Sequence, residues 1–358
     1  MKQKTVAKRK NQPLWHNGRM DNEVKKILMI GTGGTIASGI TADGLSPALT
    51  PSQLLQYVPK ISEFCEADCI SPFSIDSTNI TPKHWQILTE IIRDHYHSYD
   101  GFVISHGTDT MAYTAAALSY MIQHAEKPII LTGAQKPISF DSTDSKLNLI
   151  DAFVCACSED ISGVCIVFSG RVILGTRARK TCSKSFTAFS SINYPDLGTL
   201  QDHQLMCYIP GRKDPPPAFY NALDTRVALL KLVPGMDAAL LRFAMERQDA
   251  LILECFGVGG LPSYEDEAIL RVVEEETAKG KFVVMTTQVQ NEGSDLSVYQ
   301  VGHSLKTNPN VLEAYDMTTE AAFAKLMWIL GQTNRPDQVQ HLFYTPVAHD
   351  LLHHERIS

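Results

Sequence analysis

The stretch Lys26-Ile27-Leu28-Met29-Ile30 is a short apolar run closed by Gly31, and the same device recurs along the chain. Gly101-Phe102-Val103-Ile104-Ser105 repeats it, as do Pro128-Ile129-Ile130-Leu131-Thr132 and Val164-Cys165-Ile166-Val167-Phe168. Later runs cover 227–233, 250–254 and 282–286. Continuous apolar runs of this length are the pattern of parallel strands buried on both faces. Between them, apolar residues return at helical spacing over 111–124, 146–157, 236–247 and 268–279. Strands alternating with helices of ten or more residues build βαβ units, so the sequence predicts an α/β fold with a doubly wound, mostly parallel sheet.

A chain of 358 residues exceeds the usual size of one domain. The break falls where Pro210-Gly211-Arg212-Lys213-Asp214 runs into Pro215, Pro216 and Pro217, because proline removes a donor and disfavours helix before itself. The expected order is an N-terminal extension (1–25), a larger catalytic α/β domain (26–208), a linker (209–225) and a smaller C-terminal α/β domain (226–358) of about four strands. No internal repeat or low-complexity tract is visible.

Hydrophobic residues make up 44% and charged residues 20%, an ordinary globular balance. Net charge is -7, which leaves no broad cationic face for nucleic acid or anionic lipid. The basic cluster Lys2, Lys4, Lys8, Arg9 and Lys10 reads as a solvated tail, with a targeting or nucleic-acid arm as the alternative. No apolar segment follows it to make a secretory signal, and no run reaches the ~18 residues that span a bilayer. A soluble, cytoplasmic protein is expected. Its cysteines, at 65, 69, 155, 157, 165, 182, 207 and 255, are scattered and often sit in apolar runs, as small buried hydrophobes do. Cys65 and Cys69 are expected in a loop, without the second Cys/His pair that zinc needs. Reduced thiols are the simplest account.

Open α/β sheets bind ligands at the carboxyl ends of their strands, near a switch in strand order. Three segments stand at such places. Gly31-Thr32-Gly33-Gly34-Thr35-Ile36-Ala37-Ser38 begins like a dinucleotide fingerprint, but Ile36 stands where the third glycine belongs and no phosphate-loop lysine follows. What remains is a glycine turn that lets backbone N–H groups approach a ligand, with two hydroxyls attached. His106-Gly107-Thr108-Asp109-Thr110 stands between a buried strand and a helix opening at Met111. One of Thr108, Asp109 and Thr110 suffices as the helix cap, so the surplus polar groups point to a site. His106 reads as a packed, hydrogen-bonded residue. Asp76-Ser77-Thr78 precedes a helix starting near Pro82; it serves either as a cap or as a holder of the α-amino and α-carboxylate groups of an amino acid.

Together, Thr32-Gly33-Gly34-Thr35-Ile36 and the stretch from His106 to Ala115 resemble the bacterial and archaeal L-asparaginase family. The resemblance extends to Asp76-Ser77-Thr78, to Lys180 in Arg177-Ala178-Arg179-Lys180, to Phe256-Gly257-Val258-Gly259-Gly260 and to the stretch from Asp316 to Ala321. It covers nearly all of the chain from about residue 26. It implies Thr35 as nucleophile on the side-chain amide of L-asparagine, with Thr108, Asp109 and Lys180 as a second cluster. Lys180 would draw a proton through Thr108 while Asp109 orients it, since a hydroxyl needs a base within reach. Backbone N–H groups of the glycine turns would hold the oxyanion. Asp76, Ser77, Thr78, Gly34 and Gly107 would bind substrate, with no metal or organic cofactor. The family also implies a homodimer or homotetramer, with the loop near Gly257 to Gly260 reaching a neighbour's site.

One departure stands out. The family carries a tyrosine on the mobile loop after the first motif; here the loop reads Ser38-Gly39-Ile40-Thr41-Ala42-Asp43-Gly44-Leu45-Ser46-Pro47, with Leu45 in the tyrosine's place. Leucine relays no proton, so Tyr57 or another residue would replace it, or Thr108 and Lys180 would work alone. Gly39 and Gly44 still suit a closing lid. Competing readings are an ammonia-supplying subunit of a tRNA-dependent amidotransferase, for which the segment before the first strand is short, a nucleotide-binding dehydrogenase, and a non-catalytic amino-acid sensor.

Overall fold

The computed structural model describes residues 24–41, 44–211, 216–298 and 305–352, with the backbone alone at 40–41 and 44–47. The basic N-terminal cluster and the side chain of Leu45 lie outside the described residues, as do 212–215 of the proline-rich stretch. Among the described residues no helix is long and apolar enough to cross a membrane.

The apolar runs become strands. Lys25–Gly31, Gly101–Ser105, Pro128–Thr132 and Gly163–Phe168 are buried almost throughout and pair in parallel, as their lack of alternation requires. They belong to an eight-stranded sheet in the order Gln204–Cys207, Gly198–Gln201, Arg171–Leu174, Gly163–Phe168, Pro128–Thr132, Gly101–Ser105, Lys25–Gly31, Cys65–Ile70. The first three of these strands are antiparallel additions at one edge. The first strand in the chain thus has its successor on one side and all later strands on the other. Strand order reverses between Lys25–Gly31 and Gly101–Ser105, a switch point of the kind beside which open α/β sheets take their ligands. Cys65 and Cys69 lie on the edge strand Cys65–Ile70 rather than in a loop, because that strand extends the parallel ladder from Lys25 to Ile30.

A second sheet of four parallel strands, Val227–Lys231, Ala250–Cys255, Phe282–Thr287 and Val311–Glu313, follows in simple chain order. The helix Met111–Met121 lies between the sheets. All of its residues except Tyr113 are buried, and alanine at 112 and 115–117 lets it fit between two packed layers. Its partner is Thr319–Gln332, and one core joins Phe102, Ile104 and Leu118 of the first domain to Ile252, Val284 and Leu326 of the second.

Two buried ion pairs fasten the same junction. Arg177 pairs with Asp316 at 2.9 Å, and Lys325 with Asp350 at 2.7 Å. The Arg177 guanidinium also donates to the carbonyls of His349 (2.7 Å) and Asp316 (2.9 Å), while the Tyr120 hydroxyl donates to Asp350 (2.9 Å). These contacts draw the segment after the helix Pro336–Tyr344 back across the first domain.

Candidate active site

The site grows out of the switch point. Gly31 and Ser105 face each other at the ends of adjacent strands, and the Thr32 N–H and hydroxyl both bond the Ser105 carbonyl, at 3.0 and 2.9 Å. Gly33 and Gly34 then take φ of 100° and 76°, in the region that L side chains rarely adopt. The turn hydrogen-bonds Ile75 on its other flank, through Gly34 N–H to the Ile75 carbonyl at 3.1 Å. A Cβ on Gly34 would overlap the backbone of Gly107, and one on Gly107 would come within 2.5 Å of the Ser77 hydroxyl oxygen. Two glycines therefore let three loops touch. Thr35, which opens the 3-10 turn Thr35–Ala37, and Thr108 each stand one Cα step (about 3.8 Å) beyond that contact.

The neighbouring polar groups are explicitly tied. Lys180, at the end of the short strand Ala178–Lys180, donates to the Thr108 hydroxyl oxygen at 2.8 Å and to Asp109 Oδ1 at 2.6 Å. The Lys180 side chain is 17% exposed and Asp109 57%, so the cluster opens to solvent on its acidic side. None of the three polar residues before Met111 acts as a side-chain cap for that helix. Thr110 occupies the capping position, but its hydroxyl donates instead to the Ser77 carbonyl at 2.8 Å, which binds the second loop to the third. Asp76 does cap, bonding Thr78 N–H at 3.0 Å; Ser77 is buried at the meeting point of the loops.

His106 is fully buried. Its Nδ1 lies 2.7 Å from the Gly107 carbonyl and so must carry the proton. Its Nε2 accepts from the Thr114 hydroxyl (3.0 Å), whose oxygen accepts in turn from Trp85 Nε1 (3.1 Å). Burial holds the ring neutral by lowering its pKa from 6.5 to about 4. It supports the backbone at Gly107.

Gln135 is absent from the sequence candidates. It follows the Pro128–Thr132 strand, whose Gly133 packs against the His106 carbonyl, and its Oε1 lies 3.3 Å from the Thr108 hydroxyl oxygen. Asp144 accepts from Gln135 N–H with both oxygens (3.1 and 2.9 Å) and from Asn148 Nδ2 at 3.2 Å. The signal is there to find: Gly133-Ala134-Gln135 is one more glycine turn at a strand end beside the switch. Tyr57 closes the helix Pro51–Gln56 as its C-terminal cap and is 40% exposed. Gly31 packs on Pro51 at the start of the helix Pro51–Gln56, and the chain then runs back to Cys65, which pairs with Lys25 at the opposite end of the strand. The backbone of Leu45 pairs with Ile40 in the hairpin of Ser38–Thr41 and Gly44–Pro47. Among the described residues no cluster of His, Cys, Asp and Glu is arranged to hold a metal ion.

Known proteins share the sequence pattern and the fold of this chain. Residues 26–210 match the family profile "Asparaginase, N-terminal", and residues 226–343 match "Glutaminase/Asparaginase C-terminal domain". An L-asparaginase of Thermococcus kodakarensis is 37% identical over 328 residues, 91% of this chain and 99% of the relative. A glutamyl-tRNA(Gln) amidotransferase subunit of Pyrococcus furiosus is 34% identical over 344 residues, 92% of this chain and 77% of the relative. Among solved structures, the thermostable L-asparaginase of T. kodakarensis superimposes with a TM-score of 0.86 at 35% identity, covering 92% of this chain and all of that one. Both halves of the chain match the two halves of one enzyme family, in the same order and the same fold, and the chain belongs to the asparaginase family.

Proposed function

We propose that this chain hydrolyses the side-chain amide of L-asparagine to L-aspartate and ammonia through an acyl-enzyme on Thr35. The observation that carries the reading is the hydrogen-bonded trio of Lys180, Thr108 and Asp109, set one residue beyond the Gly34–Gly107 contact that also carries Thr35. In the reaction the Thr35 hydroxyl oxygen attacks the amide carbon. Its proton passes by way of Thr108 and Lys180 to the departing nitrogen, the C–N bond breaks, and ammonia leaves. Water then attacks the ester, and Thr35 recovers its proton as aspartate departs. Asp109 holds the lysine in place, at the open rim of the cluster. Ser77 and Asp76 grip the amino-acid end of the substrate with Thr78, while Gly34 and Gly107 let backbone N–H groups approach the oxyanion. With Leu45 in the lid position, proton transfer rests on Thr108 and Lys180. The reaction calls for no cofactor. The working form is a homodimer or homotetramer in the cytoplasm, where the eight thiols stay free.

The test is ammonia release from L-asparagine and L-glutamine by the purified protein beside Thr35→Ala and Thr108→Ala. The expected result is activity on asparagine that falls by several orders of magnitude in both variants. A fully active Thr35→Ala would move the nucleophile elsewhere. Release from glutamine alone would favour the amidotransferase-subunit reading, and release from neither amide would favour the sensor.

A further inference from the structure

Thr108 has one hydroxyl proton, and where that proton points decides what the lysine beside it can do. Lys180 Nζ lies 2.8 Å from the Thr108 oxygen and 2.6 Å from Asp109 Oδ1. An ammonium only donates, so in this state the Thr108 proton must point to another acceptor. Among the described residues, Gln135 Oε1 is the side-chain acceptor to which it points, at 3.3 Å. The orientation of that amide is settled by its far side. Gln135 Nε2 faces two carbonyls, Ser185 O at 3.1 Å and Cys182 O at 3.5 Å, and carbonyls only accept; the nitrogen must lie there and the oxygen toward Thr108. The Gln135 backbone is fixed from behind by the buried carboxylate of Asp144.

We propose that Gln135 is a positioning residue for the reaction above: it parks the Thr108 proton away from Lys180 until the lysine is neutral, and ties that proton to the hairpin loop 181–188. The inference rests on the asparaginase reading. Once Lys180 has lost its proton, Thr108 can donate to it, and Gln135 Oε1 competes for the same hydrogen. The amide thus sets both the rotamer of Thr108 and the moment at which its oxygen becomes free to take the Thr35 proton. The charged groups around this point are Lys180 and Asp109 in front and Asp144 behind, with Lys136 turned onto the Phe186 ring at the edge (5.6 Å). Arg179 turns the other way, toward Glu320 at 3.7 Å.

The experiment compares Gln135→Glu and Gln135→Met with the full-length wild type, measuring kcat and KM for asparagine against pH together with the unfolding temperature. Gln135→Met, of similar size but with no hydrogen bond to offer, is expected to lose roughly tenfold in kcat with KM within about twofold. Gln135→Glu places a carboxylate beside the ammonium. That favours the charged lysine, so the ascending limb of kcat moves to higher pH, by about half a unit or more. A role in packing alone would lower both variants without moving the limb. An unmoved limb in Gln135→Glu, or wild-type kcat in Gln135→Met, overturns the proposal. If Gln135→Met fails to fold, the limb in Gln135→Glu decides alone. These failures are distinguishable from failure of the underlying reading, in which the wild type releases no ammonia or Thr108→Ala keeps full activity.

Discussion

Two lysine–aspartate pairs in this molecule have nearly the same length and opposite surroundings. Lys180 meets Asp109 at 2.6 Å with side chains 17% and 57% exposed; Lys325 meets Asp350 at 2.7 Å with both at 0%. Around Lys325 the Thr345 carbonyl accepts a further bond at 2.9 Å, the Tyr120 hydroxyl donates to the same carboxylate, and the Tyr120 and Phe343 rings close the shell. Burial pushes the Lys325 pKa below its ordinary value even though Asp350 opposes the shift, and it pushes the Tyr120 phenol well above 10. Neither side chain of that pair meets solvent. Lys180 instead touches a hydroxyl as well as a carboxylate, and that carboxylate faces solvent. Distance alone therefore does not separate the two roles. What separates them is access: a sealed pair serves to hold the end of the chain in place, here against Tyr120 of the first domain, while an open one can exchange a proton with what binds beside it.

The largest effect that would sharpen this contrast is kinetic. Lys180→Met should lower kcat on asparagine by roughly 10²- to 10⁴-fold, the usual worth of a general base, while the unfolding temperature stays within a few degrees. Comparable activity in the variant would make the two pairs equivalent. Lys325→Met should reverse the pattern. Urea unfolding would show a loss of about 3–5 kcal/mol, because the Asp350 carboxylate is left buried and unpaired, while kcat per folded molecule stays near wild type. A Lys325→Met protein that is stable but inactive would erase the distinction. A smaller effect concerns His106, a buried group that avoids charge altogether. With its folded pKa near 4 and an ordinary value of 6.5, the unfolded chain takes up a proton between those pH values that the folded chain refuses. The ring's contribution is intact above pH 6.5 and is lost as pH falls toward 4, by up to about 3 kcal/mol. Unfolding measured at pH 7 and pH 5 should therefore show a steeper loss in the wild type than in His106→Gln; equal slopes would refute it.

Much of the fold was legible because its determinants are local. Gly101–Ser105 and Pro128–Thr132 begin and end where their apolar runs do, since a strand buried on both faces must be apolar throughout. The helices differ from their expected runs by one to four residues at an end, most at Tyr264–Ala278, expected from 268. The run expected over 111–124 stops at Met121, because Ile122–Gln123 leaves it to pair with Ala218–Phe219. That pairing partner is about a hundred residues away, and no window of sequence contains it. The antiparallel edge Arg171–Leu174, Gly198–Gln201 and Gln204–Cys207 escaped the sequence reading for another reason: its hairpins are local, with Phe168 opposite Arg171 and Gln201 opposite Gln204, but these strands are short and lack the continuous apolar runs of the buried ones.

At the site, the sequence by itself determined the glycine turns, the surplus of hydroxyls and carboxylates after the strands, and the resemblance that picks out Lys180 from an otherwise ordinary basic stretch. Those are properties of residue type and of position next to an apolar run. Only the tertiary structure decided which of those groups touch. It gave Thr110 to the Ser77 carbonyl instead of to its own helix and turned the Gln135 amide onto Thr108. The physical reason is that a hydrogen bond depends on ångström distances between loops far apart in the chain. Those distances are set by sheet order and by the close approach that glycine permits at 34 and 107.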